Sequence, residues 1–238
     1  MRDSPEIAIF IARMPGIDAW GHLTALLSEE EQVRLERLIS ERSKAHFVFG
    51  RHLLRIALSR HFRTPTEQWE FKIDKLGKPR VLSPQSLNGV RFSLSHTEGL
   101  VGCAISPDYE VGLDVENLRH LPDAEALAQI IMSTEELAAA TRPVSSRTLL
   151  RLWTAKESYV KALGTGFLVE PSEVSFEYHN DNPSLLRRVS CDTARSWRFE
   201  SHYPASGYVA TLAHSGPDHV GISTAWVDLI DAENHNPG

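Results

Sequence analysis

Asp114 and Glu116 stand two positions apart in the run VGLDVEN, while Glu157 stands beside Lys156 and four positions before Lys161 in LRLWTAKESYVKALGTGF. On a strand, residues i and i+2 share a face, so the first two carboxylates project side by side. Two like charges that close are costly unless a cation or a proton separates them. An exposed acidic strand end shows the same D-x-E spacing, but this pair interrupts an otherwise apolar run. With Glu157 as a third member, these are hard oxygen ligands of the kind that suit Mg²⁺, which takes a few carboxylates and fills its remaining positions with water and phosphate oxygens. Glu157 and Lys161 also have the i, i+4 spacing of an ordinary surface ion pair, worth about 0.3–0.5 kcal/mol. Beside metal carboxylates, however, the ammonium groups of Lys156 and Lys161 describe a place for a phosphorylated ligand. The glycines of GTG, Gly164 and Gly166, permit close backbone approach there.

Further anion-binding candidates come from the first half of the chain. LGKPR places Lys78 and Arg80 on a tight turn with Gly77 and Pro79, which is also the signature of a basic hairpin tip. FSLSH ends a strand-like run with Ser95 and His96, whose hydroxyl and imidazole suit a phosphate, although a lone histidine is more often structural. ERSKAHFVFGRHLLR supplies Arg42, Lys44, Arg51 and Arg55 in one helical region.

These residues need elements to position them, and the order of segments repeats. EIAIFIARM from Glu6 resembles EVGLDVENL from Glu110, and SEEEQVRLERL from Ser28 resembles STEELAAATRP from Ser133. Arg51 and Arg55 pair with Glu157 and Lys161, Pro65 of PTEQWEF with Pro171 of PSEVSFE, and Ser95-His96 with Ser201-His202, all at offsets of 104 to 106 residues. Five matches in one order imply a tandem duplication of an α+β unit of roughly a hundred residues, an ordinary domain size. The halves are residues 1–108 and 109–238, with Pro107 and Asp108 supplying turn chemistry between them. Each copy reads as a strand, a helix, a longer helix and then strands. Val111, Leu113 and Val115 alternate with Gly112, Asp114 and Glu116, the period of a half-buried strand. Leu149, Leu152, Trp153, Tyr159, Val160 and Leu163 recur at helical spacing, and Gly164 is placed to end that helix. The tail DAENHNPG shows no such pattern. Where the second copy has Asp114 and Glu116 the first has Phe10 and Ala12, so the carboxylates belong to one copy only.

Bulk properties narrow the function. The 238 residues carry a formal charge of −6, which lacks the broad basic face a nucleic-acid partner needs. Cys103 and Cys191 form no CxxC and have no histidine at ligand spacing, which favours free thiols in a reducing compartment over zinc or a disulfide. The apolar run near the N-terminus is broken by Arg13 and Pro15; it is too short to span a membrane and lacks a signal-peptide layout, so a cytoplasmic protein is expected.

VGLDVE, LWTAKESYVKALGTG, GKPR and FSLSHT, in this order and spacing, resemble the phosphopantetheinyl transferases. The likeness is to the larger type that activates surfactin synthetase (Sfp type), in which two copies of the holo-acyl-carrier-protein synthase fold are fused as a pseudodimer with pseudo-twofold symmetry. It covers nearly the whole chain. What the resemblance implies is transfer of the phosphopantetheine arm of coenzyme A to a serine of an apo acyl or peptidyl carrier protein, releasing 3′,5′-ADP. By motif position, Asp114, Glu116 and Glu157 would hold Mg²⁺, or Mn²⁺, against the pyrophosphate, and Glu157 would also serve as base. Lys156 and Lys161 would contact phosphates. Ser95 and His96 would bind the 3′-phosphate region; Gly77, Lys78, Pro79 and Arg80 would line the adenine side. Arg42 matches a basic residue that contacts coenzyme A in relatives, with Lys44 and Arg51 as alternatives. The ligand would lie in the cleft between copies. A monomer is expected, because the fusion already supplies the interface that smaller relatives build by oligomerising. The carrier, an acidic helical module, is expected to dock on the segment after Asp114, which bears an apolar helical stripe with Arg119, Arg142, Arg147 and Arg151.

Two other readings fit parts of the pattern. A Mg²⁺-dependent phosphohydrolase also uses D-x-E with a distant glutamate, but does not call for the duplicated unit, the lysines or the GKP and SH elements. A protein that merely binds coenzyme A or a carrier would not need all three carboxylates.

Overall fold

A computed structural model describes residues 6–74, 78–164, 169–179, 181–187 and 195–229. The chain divides into two compact units, Met1–Asp108 together with Gly221–Gly238, and Tyr109–Val220. Both are α+β. Among the described residues no helix is long and apolar enough to cross a membrane.

In the first unit β1 (Glu6–Arg13) is followed by α1 (Glu29–Glu36), α2 (Glu41–Phe62), the hairpin of β2 (Glu70–Ile73) and β3 (Pro79–Ser83), then β4 (Arg91–Thr97) and β5 (Leu100–Ser106). α1 begins at a capping box: Ser28 accepts from the backbone of Glu31, whose side chain returns to the backbone of Ser28. Ser40 caps α2 by accepting from Ser43 N–H. The sheet order is β11-β1-β5-β4, β11 being Gly221–Val227, with β1–β5 and β5–β4 antiparallel. Ala8, Phe10, Ala12, Val101, Cys103 and Ile105 form one core with Val48, Phe49, Leu53 and Leu54 of α2. Cys103 is a buried free thiol, its ionisation pushed up by burial.

The second unit runs β6 (Val111–Asn117), α3 (Ala124–Ile131), α4 (Thr134–Ala139), α5 (Ser146–Leu163), the hairpin of β7 (Ser175–His179) and β8 (Asn182–Arg187), then β9 (Arg198–His202) and β10 (Tyr208–His214). Its sheet order is β6-β10-β9, all antiparallel. α4 repeats the capping box with Ser133 and Glu136. Ser145 caps α5, and Gly164, at φ 75°, ends it in the left-handed conformation that glycine adopts without strain. Tyr159, fully buried, packs edge-on against Phe176, Trp197 and Phe199. That aromatic cluster fixes α5 over its sheet.

The sequence reading assigned 109–238 to the second half, but β11 (Gly221–Val227) returns to the first unit. It pairs parallel with β1, Glu6 against Gly221 through Ala12 against Val227. β1 is buried along nearly its whole length and has an edge left over after pairing with β5. A second strand satisfies that edge's backbone groups. Gly77, Gly166, Cys191 and the tail after Leu229 lie outside the described residues.

Candidate active site

Gly112 sets the geometry of the second unit. A Cβ added there would stand 1.9 Å from Ser158 O and 2.5 Å from Ala162 N, both backbone atoms of α5. The missing side chain therefore lets the helix lie directly on β6. Alternation along β6 puts Asp114 and Glu116 on the same side as Gly112, facing the helix. One turn earlier on α5, Thr154 Oγ1 lies 2.9 Å from Thr211 Oγ1, and Thr211 is the ladder partner of Asp114. Since Thr154 already donates to Arg151 O, Thr211 is the donor of this buried hydrogen bond, which pins α5 beside Asp114.

This contact gathers the predicted acid and base residues. Lys161 Nζ donates to Asp114 Oδ1 at 2.7 Å and to Leu113 O at 3.2 Å. Asp114 is 5 % exposed. Glu116 is partly buried and lies 3.4 Å from the guanidinium of Arg119. The Glu157 carboxyl titrates above its ordinary value, first because burial removes water from it, then because Asp114 and Glu116 repel its charge; Lys161 opposes the shift. Among the described residues no three acidic, histidine or cysteine side chains are gathered closely enough to form a ready metal shell. The donor set nevertheless fits a hard divalent cation: three carboxylates, whose mutual repulsion adds to burial in raising Glu157, a repulsion that a dication would relieve.

Lys156 does not join them. It is 1 % exposed, and its ammonium donates to Glu136 Oε2 at 2.7 Å and reaches the carbonyls of Ile131, Pro171 and Val174 at 2.8–3.0 Å. Helical geometry is the reason: Lys156 is rotated about 100° from Glu157 and points at α4, not β6. The expected phosphate contact is thereby corrected to an internal clamp. Burial pulls the Lys156 pKa down and Glu136 pulls it back. Glu136 is itself bonded by the backbone N–H groups of Ser133 and Phe176.

The first unit holds the same device. Glu31, the capping-box glutamate, pairs with Arg51 Nε at 3.2 Å and Arg55 Nη2 at 2.6 Å, all three groups buried. Burial pushes Arg51 down to about 10 despite Glu31. Arg51 and Arg55 are thus spent internally, which removes Arg51 as an alternative to Arg42. The caps Ser40 and Ser145 are 105 residues apart, so Arg51 matches Lys156 and performs its task. The register that paired Arg51 with Glu157 is one residue off; His52 stands at the Glu157 position, its Nε2 against Leu229 O at 3.1 Å.

The remaining first-unit candidates separate into two places. Asp74 organises the GKPR turn, accepting from Lys78 N–H at 2.9 Å and from Arg80 Nε at 3.1 Å, with Pro79 opening β3. Elsewhere, the His96 ring lies 4.3 Å from that of His46 on α2, and Arg42 pairs with Glu98 at 3.1 Å. Ser95 falls on the opposite face of β4 and is buried, so its hydroxyl does not accompany His96. Lys44 is engaged by Glu41 at 2.7 Å. Sequence reasoning missed Gly112, Glu136, His46 and the Thr154–Thr211 bond. A glycine inside an apolar strand was the one signal available for the first of these.

Two family models match the chain: the 4′-phosphopantetheinyl transferase superfamily over residues 110–213, and the 4′-phosphopantetheinyl transferase N-terminal model over residues 13–108. The 4′-phosphopantetheinyl transferase HetI of Nostoc sp. is 29 % identical over 197 residues, covering 82 % of this chain and 81 % of its own. The transferase gsp of Aneurinibacillus migulanus is 29 % identical over 62 % of this chain and 60 % of its own. The transferase Sfp of Bacillus subtilis is 24 % identical over 82 % of this chain and 84 % of its own. The crystal structure of Thermotoga maritima holo-[acyl-carrier-protein] synthase covers 44 % of this chain and 61 % of its own at 23 % identity, with a TM-score of 0.37, a likeness too slight to carry weight.

Proposed function

The chain belongs to the 4′-phosphopantetheinyl transferase superfamily, and we propose that Asp114, Glu116, Glu157 and Lys161 carry out the transfer of 4′-phosphopantetheine from coenzyme A to a serine of an apo acyl or peptidyl carrier protein. The serine oxygen bonds to the phosphorus that bears pantetheine. The pyrophosphate P–O bond breaks, and its electron pair leaves with 3′,5′-ADP. The hydroxyl proton passes to Glu157, directly or through one water. A carboxyl held above its ordinary value chiefly by burial is suited to that role. When bound between Asp114, Glu116 and Glu157, Mg²⁺ or Mn²⁺ supplies Lewis-acid charge withdrawal from the pyrophosphate. Lys161, held at Asp114 and partly exposed, is placed to neutralise charge on the departing phosphate.

Arg42 and His96 are assigned to the 3′-phosphate, and Lys78, Pro79 and Arg80 to the adenosine. We also read the two units as a tandem duplication of the holo-acyl-carrier-protein synthase fold. Matched capping boxes, matched long helices and matched antiparallel strand triplets support that reading. For the carrier, α3 offers Ile130, 68 % exposed. Of the basic residues expected nearby, Arg142, Arg151 and Arg119 are paired with Glu125, Asp181 and Glu116, while Arg147 stands over the Tyr203 ring and is the one we assign to an acidic partner.

The observation that carries the reading is the desolvated Glu157 set against Asp114 and Glu116 by the Gly112 contact. Incubation with coenzyme A, Mg²⁺ and a panel of apo carriers, read by intact mass, tests it. One added phosphopantetheine is expected, with the rate about a hundredfold to a thousandfold lower in Asp114→Asn and Glu157→Gln. Coenzyme A binding without a mass gain on any carrier would overturn it in favour of a binding protein.

A further inference from the structure

β11 satisfies the edge of β1 and thereby becomes an edge strand itself: among the described residues no strand pairs with its other side. Natural edges are blunted by lysine, proline, a bulge or a covering element. β11 carries none of these devices. Its sequence GISTAWV has no charge and no proline, and its pairing with β1 runs from Gly221 to Val227 without a register shift. Gly221 and Ser223 through Trp226 are exposed, so both faces of the strand meet solvent, and Trp226 keeps 45 % of its surface there. The apolar surface continues past the strand into an open recess of about 400 Å³ lined by Arg13, Pro15, Trp226, Val227, Asp228 and Leu229. We propose that this edge is an interface between two copies of the chain, in which β11 pairs antiparallel with its own counterpart and joins two four-stranded sheets into one of eight strands.

The strand is complementary to itself. Residues i and i+2 share a face, so Ile222, Thr224 and Trp226 lie on one side of β11 and Ser223 and Ala225 on the other. A twofold axis at Thr224 sets Ile222 of each copy against Trp226 of the other, Thr224 against Thr224, and Ser223 against Ala225. Every residue of the strand then has a partner. An aromatic residue opposite a β-branched one and threonine opposite threonine are favourable cross-strand pairs, and the small Ser223 and Ala225 leave the second face unobstructed. The Arg13 guanidinium, 5.5 Å from the Trp226 ring centre, steadies the indole. No like charges meet, because the strand has none. Sliding one copy by two residues in either direction loses both Ile222–Trp226 pairs, which fixes the register. The monomer expected from sequence concerned the interface that the duplication supplies, and β11 is a different surface. It stands at the opposite edge of its sheet from β4, which bears His96, so transfer does not depend on this pairing.

Sedimentation velocity of the whole protein over a concentration series tests the pairing, and a species of twice the monomer mass should grow with concentration. Thr224 is exposed, so Thr224→Lys keeps the fold while placing like charges across the axis. It should weaken association about fivefold, with unfolding temperature and transfer unchanged. Thr224→Glu should do the same, and mixing the two variants should restore association, because opposite charges then face each other. Trp226→Ser removes two Ile222–Trp226 pairs at once, one from each copy, and should weaken association about tenfold. A protein that stays monomeric at every concentration, or a dimer indifferent to both Thr224→Lys and Trp226→Ser, would overturn the proposal. Dimerisation that appears only after removal of residues 231–238 would overturn it too, assigning the edge to the chain's own tail.

Discussion

Each long helix covers the sheet of its own unit, α5 most heavily over β6 and α2 more over β5 than over β1, yet the strand face beneath one is inert and beneath the other is charged. In the first unit the face of β1 toward α2 carries Ala8, Phe10 and Ala12, all buried in one apolar core. In the second unit the face of β6 toward α5 carries Gly112, Asp114 and Glu116, with Glu157 and Lys161 above them. Each unit also buries a capping-box glutamate and answers it from the long helix, with Arg51 and Arg55 in one and Lys156 in the other. What is shared is the frame, including a buried ion pair. What differs is whether the strand beneath the helix is filled with apolar side chains or left open for chemistry. The structural role of Lys156, evident from its own bonds, is reinforced by this comparison, because its counterpart Arg51 does the same work beneath no carboxylate cluster.

The largest effect expected from disturbing this frame is at Lys156. Lys156→Met would leave Glu136 buried without a cation, and breaking a buried pair from one side costs about 3–5 kcal/mol. Arg51→Met should cost less, because Arg55 still faces Glu31. Urea unfolding of the two variants compares them directly. The double variant Lys156→Met/Glu136→Leu should recover part of the loss, since a buried pair replaced by apolar groups is often close to neutral. If Lys156→Met were fully stable but bound coenzyme A poorly, the phosphate contact expected from sequence would be restored and the shared frame refuted.

A smaller effect separates Gly112 from Ala8. Gly112→Ala puts a methyl group into the backbone of α5, which cannot yield without carrying Glu157 and Lys161 away from β6. Overpacking of this kind costs about 1–3 kcal/mol, and here transfer should be lost with it. Ala8→Gly, in the matching position, should cost at most about 1 kcal/mol and leave transfer intact. Parallel measurement of unfolding and carrier modification for the pair would show whether the close approach matters in the second unit alone. Equal behaviour of the two variants would sink the idea that Gly112 sets the site.

Much of this architecture was legible in the residues themselves. The apolar periods and the helix-ending Gly164 are local signals, and they gave both long helices and the strand-like runs around them. The register between the copies was not, because a match of one-letter patterns tolerates a slip of one residue while side-chain direction does not. Arg51 was set against Glu157 for that reason, although the capping serines place it against Lys156. Ser95 and Ser201 show the same limit. Ser95 lies on the β4 face away from α2, whereas Ser201 is the ladder partner of Thr211, which bonds to α5, so the repeated Ser-His pairs point oppositely. β11 escaped notice because its sequence carries little alternation; its place is set by the free edge of β1, a tertiary demand that no local pattern announces.

The smallest of these effects tests the electrostatics of the charged contact. Glu157 has a carboxyl raised above its ordinary value of 4.5, so the folded state holds its proton more firmly than the unfolded chain does. The favourable contribution of that proton is fully present below the unfolded value and is lost as pH rises through the folded one. In chelator-treated protein at neutral pH, ionised Glu157 is therefore a burden on the fold, and Glu157→Gln should raise stability by about 0.5–2 kcal/mol while slowing transfer as above. The gain should shrink to nothing on acidification below 4.5, where wild type carries the proton itself. Mg²⁺ should raise the unfolding temperature of wild type more than that of the variant, because only wild type has three carboxylate charges to neutralise. The first unit offers the control: His52, at the matching position, faces a backbone carbonyl and no carboxylate cluster, so His52→Gln should show no response to Mg²⁺ different from wild type. A Glu157→Gln protein no more stable than wild type at neutral pH would mean that Lys161 already offsets the repulsion from Asp114 and Glu116.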